Sequence, residues 1–155
     1  MQNLKDIPCL ILGIGNILWA DEGFGVRVVE AFNDKYAFTD PNNVIADGGT
    51  LGMYLYDRIC RAQKLLIFDC CDFKGKPGEL RVLRNDDVKL WTATKISPHQ
   101  TGMNDLLVAA AVRGAMPNDI AVVGFQPVLL DDYGGSLSAE AKGKVRSEEH
   151  TSELQ

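Results

Sequence analysis

The sequence predicts an α/β domain whose sheet is covered by helices on both faces. Three observations carry that expectation. Short apolar runs alternate along the chain with stretches of helical period, the pattern of sheets built from strand–helix units. The strand-length runs are almost continuously apolar, as strands buried on both faces are. The chain's 155 residues, 46% hydrophobic and 24% charged, make one soluble domain with a single well-filled core.

The elements come in this order. "CLILGI" (9–14) is a buried-strand run that closes at Gly15-Asn16. "GFGVRVVEAFNDKY" reads as an amphipathic helix. In it Phe24, Val28 and Phe32 recur every fourth residue, with Arg27, Glu30 and Asp34 on the other side. "NVIAD" (43–47) is a short strand ending in the turn Gly48-Gly49, and helix "LGMYLYDRIC" comes next. "KLLIFD" (64–69) is a third apolar strand. "GKPG" makes a turn, and the polar–apolar alternation of "ELRVL" predicts an edge strand. "GMNDLLVAAAVRGA" is a helix burying Met103, Leu106, Leu107 and Ala110 or Ala111, and "DIAVVGF" (119–125) is the last buried strand. A loop, "QPVLLDDYGG", leads into "SLSAEAKGKV", the beginning of a helix. No internal repeat, low-complexity stretch or linker interrupts this order, so residues 1–145 are expected to be a single domain.

The last ten residues, "RSEEHTSELQ", lack any apolar period. At all ten positions they resemble the translation of a common short-read sequencing adapter. A non-native tail is therefore expected at 146–155, with the final helix truncated and stability lowered. That segment carries one Arg and three Glu, so without it the formal charge of −5 becomes −3. It also contains His150, which leaves His99 as the remaining histidine.

Composition narrows the function. A net negative chain argues against a nucleic-acid binder, which needs a basic face. No apolar run approaches the roughly 20 residues of a membrane span, and "MQNLKDIPCL" lacks the apolar segment of a signal peptide. Cys9, Cys60, Cys70 and Cys71 show neither zinc nor disulfide-framework spacing, so reduced thiols in a cytoplasmic protein are expected.

Chemistry gathers where the strands end. The stretch "GIGNILWADEGFGVR" opens like a dinucleotide-binding turn, but Leu18 stands where a third glycine belongs. Glu22 would also repel a pyrophosphate at the helix N-terminus. No nucleotide cofactor is expected, and a dinucleotide-dependent oxidoreductase is disfavoured. Asp21-Glu22 comes after the first strand and Asp69 ends the third. Ligands of open α/β sheets bind beyond the carboxyl ends of the strands, which would bring Glu22 and Asp69 to one place. Asp47 ends the second strand, but before a Gly-Gly-Thr turn an aspartate more often bonds its own backbone. In "KISPHQTGM", Pro98 holds its predecessor extended and Gly102 breaks the chain, so His99 is expected on a loop at a helix start. A lone histidine is most often structural. Two carboxylates and one imidazole nevertheless suit a borderline divalent ion such as nickel or zinc. No Gly-x-Ser-x-Gly elbow is present. A thiol protease using Cys70 or Cys71 is disfavoured, because strand alternation puts them on opposite faces and small buried thiols are the commoner case.

Taken in order, "LGIGNILWADEGFGVRVVE", "DGGTLGMYL", "LLIFDCCDF", "ISPHQTGMNDLL" and "GFQP…DYGGSLS" resemble the maturation endopeptidases of nickel–iron hydrogenases, most closely those serving uptake-type enzymes. The likeness runs from residue 9 to about residue 145. It implies a three-layer αβα sandwich with a mostly parallel central sheet, of the phosphorylase/hydrolase-like kind. It implies removal of a C-terminal peptide from the hydrogenase large-subunit precursor after nickel insertion. It also implies that Glu22, Asp69 and His99 bind the metal, nickel supplied by that precursor. Asp21 or Asp47 would then be the candidate general base. A monomer without a membrane span is expected. A nickel-dependent assembly chaperone that binds the same precursor without cutting it stays open as an alternative.

Overall fold

In this computed structural model, which describes residues 4–15, 20–37, 39–48, 53–88, 98–128 and 137–145, five strands form one sheet. They are β1 (Ile7–Gly13), β2 (Val44–Asp47), β3 (Ala62–Cys70), β4 (Leu80–Arg84) and β5 (Asp119–Phe125). Their spatial order is β2-β1-β3-β5-β4. The first three neighbouring pairs are parallel, and β4 joins β5 antiparallel at the edge. The central strands are the apolar ones: Leu65 to Cys70 of β3 are all buried, as are Val122 to Phe125 of β5. Alternating "ELRVL" yields the edge strand, with Leu83 buried and Arg81, Val82 and Arg84 exposed.

Helices α1 (Phe24–Lys35), α2 (Met53–Arg61) and α3 (Pro98–Val112) connect the strands, and a last helix, α4, spans 139–145. On one face, Leu55, Ile59, Met103, Leu107 and Ala110 pack with Leu10, Leu12, Leu65 and Ile67. On the other, Phe24, Val28, Phe32, Ala141 and Val145 pack with Ile11, Leu66, Phe68 and Phe125. The result is three layers, αβα, as expected. Phe24 stacks on Phe125 with ring centroids 4.7 Å apart, which locks the start of α1 onto the sheet. Burying a phenylalanine of this kind stabilises the fold by roughly 1.5–3 kcal/mol.

Cys70 belongs to the α1 side of the sheet and Cys71 to the α2–α3 side, the alternation expected of extended chain. All four cysteines are free. No helix among the described residues is long and apolar enough to cross a membrane.

One boundary differs from expectation in a way that matters for the site. Helix α3 begins at Pro98 and runs through Gly102, so His99 lies in its first turn rather than on a preceding loop. Proline is favoured at the first helical position, where its missing N–H would be unpaired in any case. An interior glycine costs only about 1 kcal/mol, which packing of Met103, fully buried, readily offsets. Between the two alanines left open, Ala110 is buried and Ala111 exposed. Ser97 and residues 146–155 lie outside the described residues.

Candidate functional site

The carboxyl end of the sheet is assembled through glycines. A Cβ on Gly13, the last residue of β1, would collide with the carbonyl oxygen of Gly25 in α1. A Cβ on Gly25 would in turn collide with the carbonyl oxygens of Phe68 and Ile14. Two bare backbones therefore let the first turn of α1 press onto β1 and β3, where any side chain would hold it off. The N–H of Ile14 donates to Phe68 O at 2.9 Å, and that of Gly48 donates to Gly13 O at 2.7 Å. The ends of β1, β2 and β3 are thus stitched together.

Just before α1, residues Ala20–Gly23 form a short 3-10 turn that carries Asp21 and Glu22 and touches β3. Asp21 has no exposed surface. Its Oδ1 accepts the N–H of Ser138 at 2.8 Å, and its Oδ2 accepts the N–H of Val128 at 2.9 Å and the Ser138 hydroxyl at 3.0 Å. Asp69 is likewise buried, 1% exposed, in β3 opposite Gly124 of β5. It comes directly after Phe68, the residue against which Gly25 is pressed, so the Glu22 turn and Asp69 share one end of the sheet. Asp47 ends β2 beside Gly13 and is exposed.

The third segment arrives by helix length. Lys5 Nζ, just before β1, donates to the carbonyls of Ala115 and Met116, which fixes the chain after α3 at the amino end of the sheet. The 15 residues of α3 rise about 22 Å, which returns Pro98 and His99 to the carboxyl end. The backbone therefore brings the segments bearing Glu22, Asp69 and His99 to the same end, with Asp47 at its margin. The side chains of Glu22 and His99 lie outside the described residues, and among those described no three His, Cys, Asp or Glu side chains form a group that could hold a metal ion.

The Cys71 thiol beside the site is disfavoured as a nucleophile. Burial pushes the Cys71 thiol well above its ordinary range, and the nearby charges of Asp69 and Asp72 push it further. A thiol held protonated is a poor nucleophile.

Sequence reasoning did not find Ser138, the partner that organises Asp21. Its hydroxyl also accepts the N–H of Ala141 at 3.2 Å and so caps α4. A serine ahead of a helical stretch is the available signal for the cap. Nothing local announces a partner 117 positions away.

The family model for hydrogenase maturation proteases matches residues 26–151. The hydrogenase expression/formation protein HupM of Azotobacter chroococcum is 47% identical over 137 residues, covering 88% of this chain and 65% of its own length. HupD of Bradyrhizobium diazoefficiens, also a hydrogenase expression/formation protein, is 45% identical over 142 residues, 91% of this chain and 73% of its own length. The chain thus spans about two thirds of the length of such curated relatives. Among solved structures, the hydrogenase maturating endopeptidase HybD of Escherichia coli superposes with a TM-score of 0.85 at 34% identity, covering 94% of this chain and 89% of that one.

Proposed function

The chain belongs to the hydrogenase maturation protease family, and on that premise we propose that it is an endopeptidase that removes the C-terminal peptide of a nickel–iron hydrogenase large-subunit precursor once nickel has been inserted. The observation that carries the proposal is the convergence of the Glu22 turn, Asp69 and the first turn of α3 at the carboxyl end of the sheet. Two carboxylates and an imidazole suit a borderline divalent ion, and the ion belongs to the substrate.

In this reading Glu22, Asp69 and His99 recognise the precursor's nickel and seat the tail in register for hydrolysis. Positioning of this kind supplies a large part of catalysis when the reacting atoms are held in line. The water that attacks the scissile carbonyl needs a base. Of the two candidates, Asp21 has both oxygens engaged by three donors inside the protein, which weighs against it. Asp47, exposed at the end of β2, is the better placed carboxylate. No step calls on Cys70 or Cys71.

The test is cleavage of purified precursor, nickel-loaded or nickel-free, with the product weighed by mass spectrometry. A shortened subunit is expected only from the nickel-loaded form. Asp69→Asn should slow that cleavage at least about 10-fold, and an unchanged rate would remove Asp69 from the site. A stable complex with no shortening would support a non-cleaving, nickel-dependent chaperone instead.

A further inference from the structure

A carboxylate with no exposed surface is stable only when donors replace its water. Three that serve Asp21 come from far along the chain: the N–H of Val128, and the N–H and hydroxyl of Ser138. The same hydroxyl caps α4 through the N–H of Ala141. One side chain therefore ties the 3-10 turn to the exit of β5 and to the start of α4. That turn begins at Ala20, whose φ of 44° lies in the left-handed region. A residue with a Cβ keeps such a conformation where its surroundings over-determine it, and the next side chain in sequence is Asp21. The other end of the turn is pinned by Gly25 against Phe68 O and Ile14 O. Glu22 sits between the two pins.

We propose that Asp21 is a positioning residue for Glu22: its carboxylate, held by Val128 and Ser138, sets the orientation in which the turn presents the adjacent glutamate to the substrate's metal. The inference rests on the reading of Glu22 as a nickel-recognising residue. It gives Asp21 and Ser138 a part in catalysis without contact with the substrate.

The substitutions are asymmetric by design. Asp21→Asn keeps shape and volume but offers one acceptor oxygen where two are used, so an amide NH2 must face the N–H of either Ser138 or Val128. Ser138→Ala removes one bond to Asp21 and the cap, and leaves the Ser138 N–H in place. Ser138→Thr keeps the hydroxyl. Each protein is assayed well below its melting temperature, with two readouts: kcat/KM on nickel-loaded precursor and the Kd for nickel-free precursor. Asp21→Asn is expected to lower kcat/KM about 30-fold and Ser138→Ala about 5-fold, with Kd within about twofold of the unsubstituted value and Ser138→Thr restoring cleavage. A Kd that weakens in parallel with cleavage would overturn the proposal in favour of a general structural role. Abolished cleavage in Asp21→Asn with an unaffected Ser138→Ala would overturn it in favour of chemistry at Asp21 itself. Failure of the nickel-recognition reading is visible separately, in an unsubstituted protein that treats nickel-loaded and nickel-free precursor alike.

Discussion

The two ends of the sheet are held by opposite means. At the amino end the work is done by long cationic side chains. Lys5 Nζ donates to the carbonyls of Ala62, Ala115 and Met116 at 2.9–3.1 Å. Arg61 reaches Asp6 at 2.6 Å and Asp57 at 3.1 Å, with all three partly exposed. At the carboxyl end the fastenings are short: glycine backbones in direct contact and a buried aspartate ringed by N–H and O–H donors. Long side chains at the surface, such as Arg61, can re-aim when a partner is lost, and water replaces much of what they supplied. A buried carboxylate and two touching backbones have no such slack. One end tolerates change, and the other fixes geometry.

Substitutions at the two ends should therefore rank steeply. Gly25→Ala is expected to be the most damaging, because its Cβ meets the backbone carbonyl oxygens of Phe68 and Ile14 rather than a flexible side chain. A loss of more than about 3 kcal/mol in denaturant melts is expected, with cleavage falling further than stability as the Glu22 turn lifts away. A near-wild-type melt would show that the close contact is not needed. Lys5→Met comes next, at about 1–3 kcal/mol because three part-buried carbonyls lose their donor, and cleavage should be unchanged. Arg61→Ala should be smaller still and should fade in high salt. The Arg61 hydrogen bond holds the Asp6 carboxyl below its ordinary 3.8. A depressed folded value gives a contribution that is present above 3.8 and lost as the pH falls through the folded value. The difference between Arg61→Ala and the parent should therefore close in acid. Last, thiol reagents at pH 8 should leave Cys60, Cys70 and Cys71 unmodified in the folded protein, since all three are buried. Cys71→Ala should retain cleavage, and its loss would reopen a thiol mechanism.

How far the sequence could be read obeys the same division. Strand β5 is expected at 119–125 and lies there, because a continuous apolar run between turns has little else to become. The exposed and buried sides of α1 are legible from the fourfold spacing of Phe24, Val28 and Phe32, all buried. The start of α3 is not, because Gly102 reads locally as a break, whereas packing of Met103 and Leu107 carries the helix across it. The shared end of Glu22 and Asp69 is legible from topology, since parallel strands deliver their succeeding loops to one edge, whereas His99 follows the antiparallel β4 and reaches that end only through the length of α3. The role of Asp21 is not legible. A carboxylate beside another carboxylate reads as reactive, and only contacts 107 and 117 positions away reveal it as a fastening. The glycines of "GIGNILWADEGFGVR" read as turn-makers. Gly15, at φ 137°, does turn the chain, while Gly13 and Gly25 serve by being small.

The margins of the sheet carry a consequence for solubility. One margin, β2, is four residues long, too short to template an added strand. The other, β4, is five residues long and exposes Arg81 and Arg84, with the Arg81 guanidinium stacked on Phe73 at 4.4 Å. Short, charged margins discourage edge-to-edge aggregation. A protein proposed to accept an extended peptide tail at one end of its sheet would do well to refuse such tails along the sides.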